Sequence, residues 1–252
     1  MKKYIGFLVA LFLFTGCAVS KAPVTNRTQL ILIPTEKELA LGEESFKQTL
    51  KDMKVSSDMV QTKRVMNIGA RLANVAKRDD FNWEFALVES DEVNAFCLPG
   101  GKIVVYTGIF KVAKTDDALA TVIAHEIGHA IARHGAERMS MGLVTGLVGV
   151  VANVALSRNH SEHLQTFNIA YGLGATYGVI LPYSRMQEFE ADEIGIDLMH
   201  KAGFDINKAL SFWIDMKNQS KGKSVPEFAS THPSDEARIE SLKTVISRYN
   251  KR

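Results

Sequence analysis

Two histidines four residues apart, with a glutamate directly after the first, narrow the choices for this chain more than any other feature: His125-Glu126-Ile127-Gly128-His129. The segment from Asp116 to His134 reads as one helix. Thr115 and Asp116 suit its start, the paired aspartates favour its positive end, and Gly135 can stop it. On a helix, positions four apart share a face. Both imidazoles can therefore meet one metal ion, at about 2.0–2.1 Å each for zinc. Glu126 lies one step round, near the ion without being needed as a ligand, where a metallohydrolase keeps its general base. Leu119, Ile123, Ile127 and Ile131 give the same helix an apolar stripe, so it must be packed inside the fold. The competing reading is a helix with two ordinary histidines, and the rest of the chain has to decide.

The 252 residues suit one domain, or one domain with a small appendage. The start differs from the rest. Lys2 and Lys3 precede an apolar run from Ile5 to Phe14, too short to span a bilayer comfortably, and then Thr15-Gly16-Cys17. This resembles the lipobox of bacterial lipoproteins, in which cleavage falls before a cysteine that takes lipid. It divides the chain into a signal peptide (1–16), a lipid-anchored tether (17–35) and a domain (36–252), with Cys17 as the lipidation site. The expected location is the periplasmic face of a bacterial membrane, specifically the outer membrane because Ala18 rather than Asp follows the cysteine. Without Lys2 and Lys3 the chain carries 28 basic and 28 acidic side chains, and nothing points to nucleic acid. Cys97 is the other cysteine, so no intrachain disulfide is expected once Cys17 is acylated.

Helical spacing marks residues 36–53 and 57–78. A β region follows: a strand at 82–89, then Asn94–Leu98 and Lys102–Tyr106 around the turn Pro99-Gly100-Gly101. Residues 139–157 and 164–183 carry no charge. Together, 139–183 reads as an apolar helical hairpin, packed on the domain or lying at a lipid surface rather than spanning it. Helices are expected at 185–201, 207–218 and 235–249.

Two histidines leave a catalytic zinc short of the usual three protein ligands. A metzincin would need Gly at 132 and His at 135, but Ala132 and Gly135 stand there. The third ligand must come from elsewhere, commonly a glutamate on a later helix. Glu188 and Asp192 are four apart on one face, so Glu188 can bind while Asp192 holds an imidazole N–H. Glu190 points about 200° away and is the poorer candidate. An acidic solvated helix face would look the same.

H-E-x-x-H on one helix and E-x-x-x-D on a later one, here Glu188-Phe189-Glu190-Ala191-Asp192, resemble the M48 metallopeptidases. Asn94-Ala95-Phe96-Cys97-Leu98-Pro99-Gly100-Gly101 is similar to that family's strand-turn beside the active-site helix, and Ser230-Thr231-His232-Pro233 with Arg238-Ile239 to its C-terminal signature. Cys97 departs from the pattern, which favours a small non-thiol residue. The resemblance implies an α+β fold: a mostly helical zincin-like domain with a small sheet beside the active-site helix. It implies one Zn2+ per chain on His125, His129 and Glu188, with Asp192 and Arg238 supporting them. Glu126 and His232 would be catalytic, His232 either stabilising an oxyanion or latching the open metal position. Lys102, Ile103, Val104, Val105 and Tyr106 are expected to form an edge strand that takes up extended substrate. The implied activity is that of a zinc endopeptidase on misfolded or misassembled cell-envelope proteins. The membrane is expected as a partner through the anchor. The alternative is a catalytically quiet, zinc-stabilised chaperone or assembly factor.

Overall fold

A computed structural model describes residues 19–159, 164–176, 181–219, 227–232 and 236–251. The signal segment and Cys17 lie outside the described residues, as do the loop expected at 220–224 and Pro233.

Helices α1 (Thr35–Asp52) and α2 (Met59–Ala76) come first, the second capped by the Asp58 carboxylate, which accepts the N–H groups of Val60 and Gln61. Val65, Ile68 and Leu72 face the core, whereas Val60 and Met66 of the same helix are exposed. Strands β3 (Glu84–Val88), β4 (Ala95–Leu98) and β5 (Lys102–Tyr106) form one sheet in the order β3-β5-β4. Successive side chains alternate faces. Leu87, Ile103 and Val105 join the main core with α2 and the metal-motif helix, while Ala86, Val88 and Val104 meet Phe46 of α1 on the other face.

This topology corrects the substrate-strand expectation. Lys102, Ile103, Val104, Val105 and Tyr106 do not form an edge: β5 is central, parallel to β3 (Glu84↔Lys102 to Val88↔Tyr106) and antiparallel to β4. An unbroken apolar run such as Ile103-Val104-Val105 has to be covered on both faces, and such strands sit inside sheets. Lys102 is buried as well, its ammonium donating to the Asn82 carbonyl at 2.9 Å and paired with Glu43 and Glu84.

After a 3-10 turn (Thr107–Lys111), α3 (Asp116–Ile131) crosses the core with the Thr115 hydroxyl capping Ala118 N–H at 3.2 Å. It ends earlier than its sequence suggests. Arg133 takes a positive φ of 56° and the chain turns into a separate helix, α4 (His134–Asn159). Then come α5 (Leu164–Ala175), α6 (Leu181–Lys201), α7 (Asn207–Gln219), the short α8 (Glu227–Thr231) and α9 (Glu236–Asn250). Helices α4 and α5 stand within the stretch 139–183 read as a hairpin, of which 160–163 and 177–180 lie outside the described residues, and no helix among the described residues is long and apolar enough to cross a membrane.

The stretch read as a tether is structured from residue 19 onward. β1 (Val19–Lys21) and β2 (Thr28–Leu30) pair antiparallel, and Ala22 and Gln29 are buried against the domain.

Candidate metal centre

Helix α3 supplies His125, Glu126 and His129, all buried. Helix α6 lies directly against it. The contact depends on Gly128, where a Cβ would stand 2.7 Å from the Ala191 carbonyl oxygen. This close approach brings Glu188 to the imidazoles: its carboxylate oxygens lie 3.2 Å from His125 Nε2 and 3.3 Å from His129 Nε2.

The outer nitrogens fix the tautomers. His125 Nδ1 is 2.9 Å from Asp192 Oδ1, and an ionised carboxylate only accepts, so Nδ1 carries the proton. Arg238 holds that carboxylate from the other side through Nε and Nη2, at 2.6 and 2.8 Å, and stacks on Trp213 with 3.6 Å between guanidinium carbon and ring centre. His125 Nε2 is thus left with a lone pair pointing inward, as a metal-ligating histidine requires.

His232 arrives on a third element. The Phe228 N–H donates to the Val93 carbonyl, the His232 N–H to the Phe228 carbonyl, and Arg238 Nη1 to the His232 carbonyl, at 2.9, 2.9 and 3.1 Å. Its Nδ1 stands 3.0 Å from Glu188 Oε2 and 3.1 Å from His125 Nε2. One ligand atom each from His125, His129, Glu188 and His232 lie within 4.8 Å of one another.

The inner nitrogens of two imidazoles and the oxygens of a carboxylate converge at 3.1–3.3 Å, a spacing that a cation among them can hold. Tetrahedral zinc with ligands at about 2.0–2.1 Å spaces them roughly 3.3 Å apart, so the donor set fits zinc in both chemistry and spacing. With protein groups alone, the cluster draws in a proton instead. Burial opposes charging His125, yet its bonds to Asp192 and Glu188 outweigh burial and raise its pKa to about 9. Burial keeps His129 well below the usual histidine value. Glu188 is held far below the carboxylate range: burial opposes this, and the surrounding imidazoles overcome it.

Glu126 is beside the cluster but outside it. Burial raises its pKa. Its Oε1 is buried without a hydrogen-bond partner among the described residues, with His232 Nε2 facing it at 3.4 Å. Cys97 of β4 lies against this carboxylate, and burial pushes its thiol up.

The expected ligands His125, His129 and Glu188 are thus brought together, with His232, Asp192 and Arg238 around them. Lys102 to Tyr106 lie in the central strand rather than at an edge, and Cys17 is not among the described residues. Sequence reasoning missed three groups. His134, read as the last residue of the motif helix, instead begins α4 and turns its Nδ1 to His129 Nδ1 at 2.8 Å. Glu190, set aside because it points away from Glu188, is buried and reaches His134 Nε2 at 3.0 Å. Trp213 had no signal beyond being a tryptophan on an amphipathic helix.

A protein-family model described as Peptidase family M48 matches residues 60–246. The mitochondrial metalloendopeptidase OMA1 of Schizosaccharomyces pombe is 34% identical over 225 residues, covering 87% of this chain and 64% of the relative. The human mitochondrial metalloendopeptidase OMA1 is 31% identical, over 96% of this chain and 48% of its own length. The beta-barrel assembly-enhancing protease of Escherichia coli is 28% identical, over 81% and 42%. The chain spans about half the length of these relatives, somewhat more for the first. The yeast, plant and vertebrate relatives are mitochondrial, which overturns the expected lipid-anchored location at a bacterial outer membrane. A short apolar run ending in Gly-Cys is too small a signal to fix a compartment.

Proposed function

The chain belongs to peptidase family M48, and from that premise we propose that it is a zinc-dependent metalloendopeptidase acting on misfolded or misassembled proteins. The observation that carries the reading is the convergence of His125, His129 and Glu188 around one point, with an unpartnered buried Glu126 oxygen beside it. His125, His129 and Glu188 hold the ion. When bound, zinc polarises the scissile carbonyl and acidifies a water.

Glu126 takes the proton of the attacking water and returns it to the departing amine. Burial suits it to this work, since a carboxylate with a raised pKa holds the proton between the two transfers. Asp192 and Arg238 fix the His125 ring. Extended substrate adds to the outer edge of β4, which has no strand partner among the described residues and runs past Glu126 through Cys97. Backbone pairing binds with little side-chain preference, which suits unfolded clients. The name of the Escherichia coli relative, an assembly-enhancing protease, supports clients that have failed to assemble.

His232 Nδ1 lies among the ligand atoms, so in the resting enzyme His232 would join the residues that hold the ion and would keep activity down. His232→Ala should then raise cleavage of unfolded protein, whereas a donor to the oxyanion would cost about 10²–10³ in kcat.

The deciding assay uses an unfolded protein substrate with zinc-loaded enzyme. Glu126→Gln should lower kcat by about 10²–10⁴ with zinc content unchanged. Absence of cleavage in both wild type and His232→Ala would leave the quiet, zinc-stabilised chaperone as the reading.

A further inference from the structure

The two ligand histidines are steadied by two similar arms, and only one of them lies within the family-matched region. His125 is held by Asp192, and Asp192 by Arg238. His129 is held by His134, His134 by Glu190, and Glu190 by Arg27 Nε at 2.6 Å. Arg27 stands in the turn of the β1–β2 hairpin, ahead of residue 60, where the family match begins.

Arg27 is firmly placed. Its side chain is 16% exposed, and its Nη1 and Nη2 each donate to one oxygen of Glu137 at 2.8 Å. Thr25 donates its hydroxyl to Glu190 Oε1. Gln29 donates its amide to the Ala132 carbonyl, three residues past His129, and the Leu32 N–H donates to Ser140 Oγ at 2.8 Å. Asn26, at φ 57°, and Val24, at φ 66°, give the turn the left-handed backbone that aims Thr25 and Arg27 inward.

The protons along this chain can be assigned in only one consistent way. Glu190, as a carboxylate, only accepts. His134 must therefore donate to it through Nε2, which leaves His134 Nδ1 as an acceptor. His129 must then donate through Nδ1, which leaves His129 Nε2 with the inward lone pair a metal needs. If Glu190 swung out, His134 could take the other tautomer and compete for the same proton. Arg27 and Thr25 are what hold Glu190 in place.

We propose that Arg27 is a positioning residue for the metal centre: the N-terminal hairpin is a strap that sets the ring and tautomer of His129 through Glu190 and His134. This rests on His129 being a zinc ligand, as proposed above. It makes residues 19–30 part of the working site.

The test uses the full chain and zinc itself, with affinity read by competition against a chromophoric chelator and the site geometry by the visible spectrum of the cobalt-substituted protein. Second-sphere partners of ligand histidines are worth 10–100-fold in affinity. Arg27→Ala should weaken zinc binding by about 10-fold or more and alter the cobalt spectrum, and Arg27→Lys, which keeps the cation but loses the fork, should recover part of both. In a His134→Phe background, Arg27→Ala should add nothing. Wild-type affinity in Arg27→Ala, or an equal loss with and without His134, overturns the strap. If Arg27→Ala fails to fold, Arg27→Lys alone is compared in the two backgrounds and decides the same way. Glu188→Ala is the separate arm: wild-type zinc affinity there would bring down the metal site itself rather than the strap.

Discussion

Helix α4 belongs to two regions built on opposite rules. In its first two turns His134, Glu137 and Ser140 are fully buried, and each has a polar partner. Farther along, Leu143, Leu147, Val150 and Val151 are about 60% exposed, and Ile169 and Leu173 of α5 are similar. Here polar groups pair between the two helices without being buried. Asn153 Nδ2 donates to Asn168 Oδ1 at 2.7 Å, and the Tyr171 hydroxyl to the Thr145 carbonyl at 2.5 Å. The metal centre is a polar cluster sealed in apolar packing, while the hairpin joins its helices by half-exposed polar pairs beside exposed apolar side chains. The difference shows that burial in this fold follows partners rather than polarity: a charge goes inside when another group neutralises it, and an apolar side chain stays outside when no element covers it.

The sharpest way to break this contrast is to strip a buried charge of its shortest bonds in the sealed region. Asp192→Ala takes from the Arg238 guanidinium its two shortest carboxylate bonds, leaving it Glu188 at 3.1 Å, and should cost about 3–5 kcal/mol in urea unfolding of the metal-free protein. A loss under 1 kcal/mol would mean that water enters the cluster and that it is not sealed.

At the boundary between the regions, Arg27→Ala removes charge-assisted bonds to Glu137, at about 1.5–3 kcal/mol near neutral pH. Glu137 is held below the ordinary carboxylate value of 4.5, because the bonds from Arg27, Tyr183 and Gln187 overcome the opposing effect of burial. A depressed pKa gives stability that is present above 4.5 and lost as pH falls through the folded value. The gap in melting temperature between Arg27→Ala and wild type should therefore be widest above pH 4.5 and close progressively below it. A gap that stays constant through the acid range would assign the effect to packing instead.

Within the hairpin the polar pairs should matter more than the exposed apolar side chains. Asn153→Ala removes the Asn153–Asn168 bond and should cost about 0.5–1.5 kcal/mol in thermal unfolding. Leu147→Gln, on the exposed face, should change stability by no more than about 0.5 kcal/mol. If Leu147→Gln proves the more damaging of the two, the outer face is covered and the contrast fails.

Much of the site was legible because helical spacing is a local property. His125 and His129 share a face wherever the helix goes, and so do Glu188 and Asp192. The core stripe Leu119, Ile123, Ile127 and Ile131 is likewise buried throughout. Misreadings arose where a distant segment decides. Nothing in residues 102–106 states that β3 will pair with their second edge, although the unbroken Ile103-Val104-Val105 run was a hint. The stop at Ile131 was hidden because Arg133 adopts a left-handed conformation with no glycine to announce it. His134 was therefore read as the end of the motif helix rather than the start of the next.

The sequence by itself determined which groups can meet: two imidazoles, a neighbouring carboxylate and a second acidic pair, each fixed by a spacing of three or four residues that any helix converts into a shared face. Tertiary structure alone decided how those groups are held. Gly128 sets the distance between α3 and α6, Arg238 closes one arm from the C-terminal helix, and Arg27 closes the other from a hairpin about a hundred residues before the ligand it steadies. Such contacts depend on which surfaces meet, and no local period in the chain encodes that.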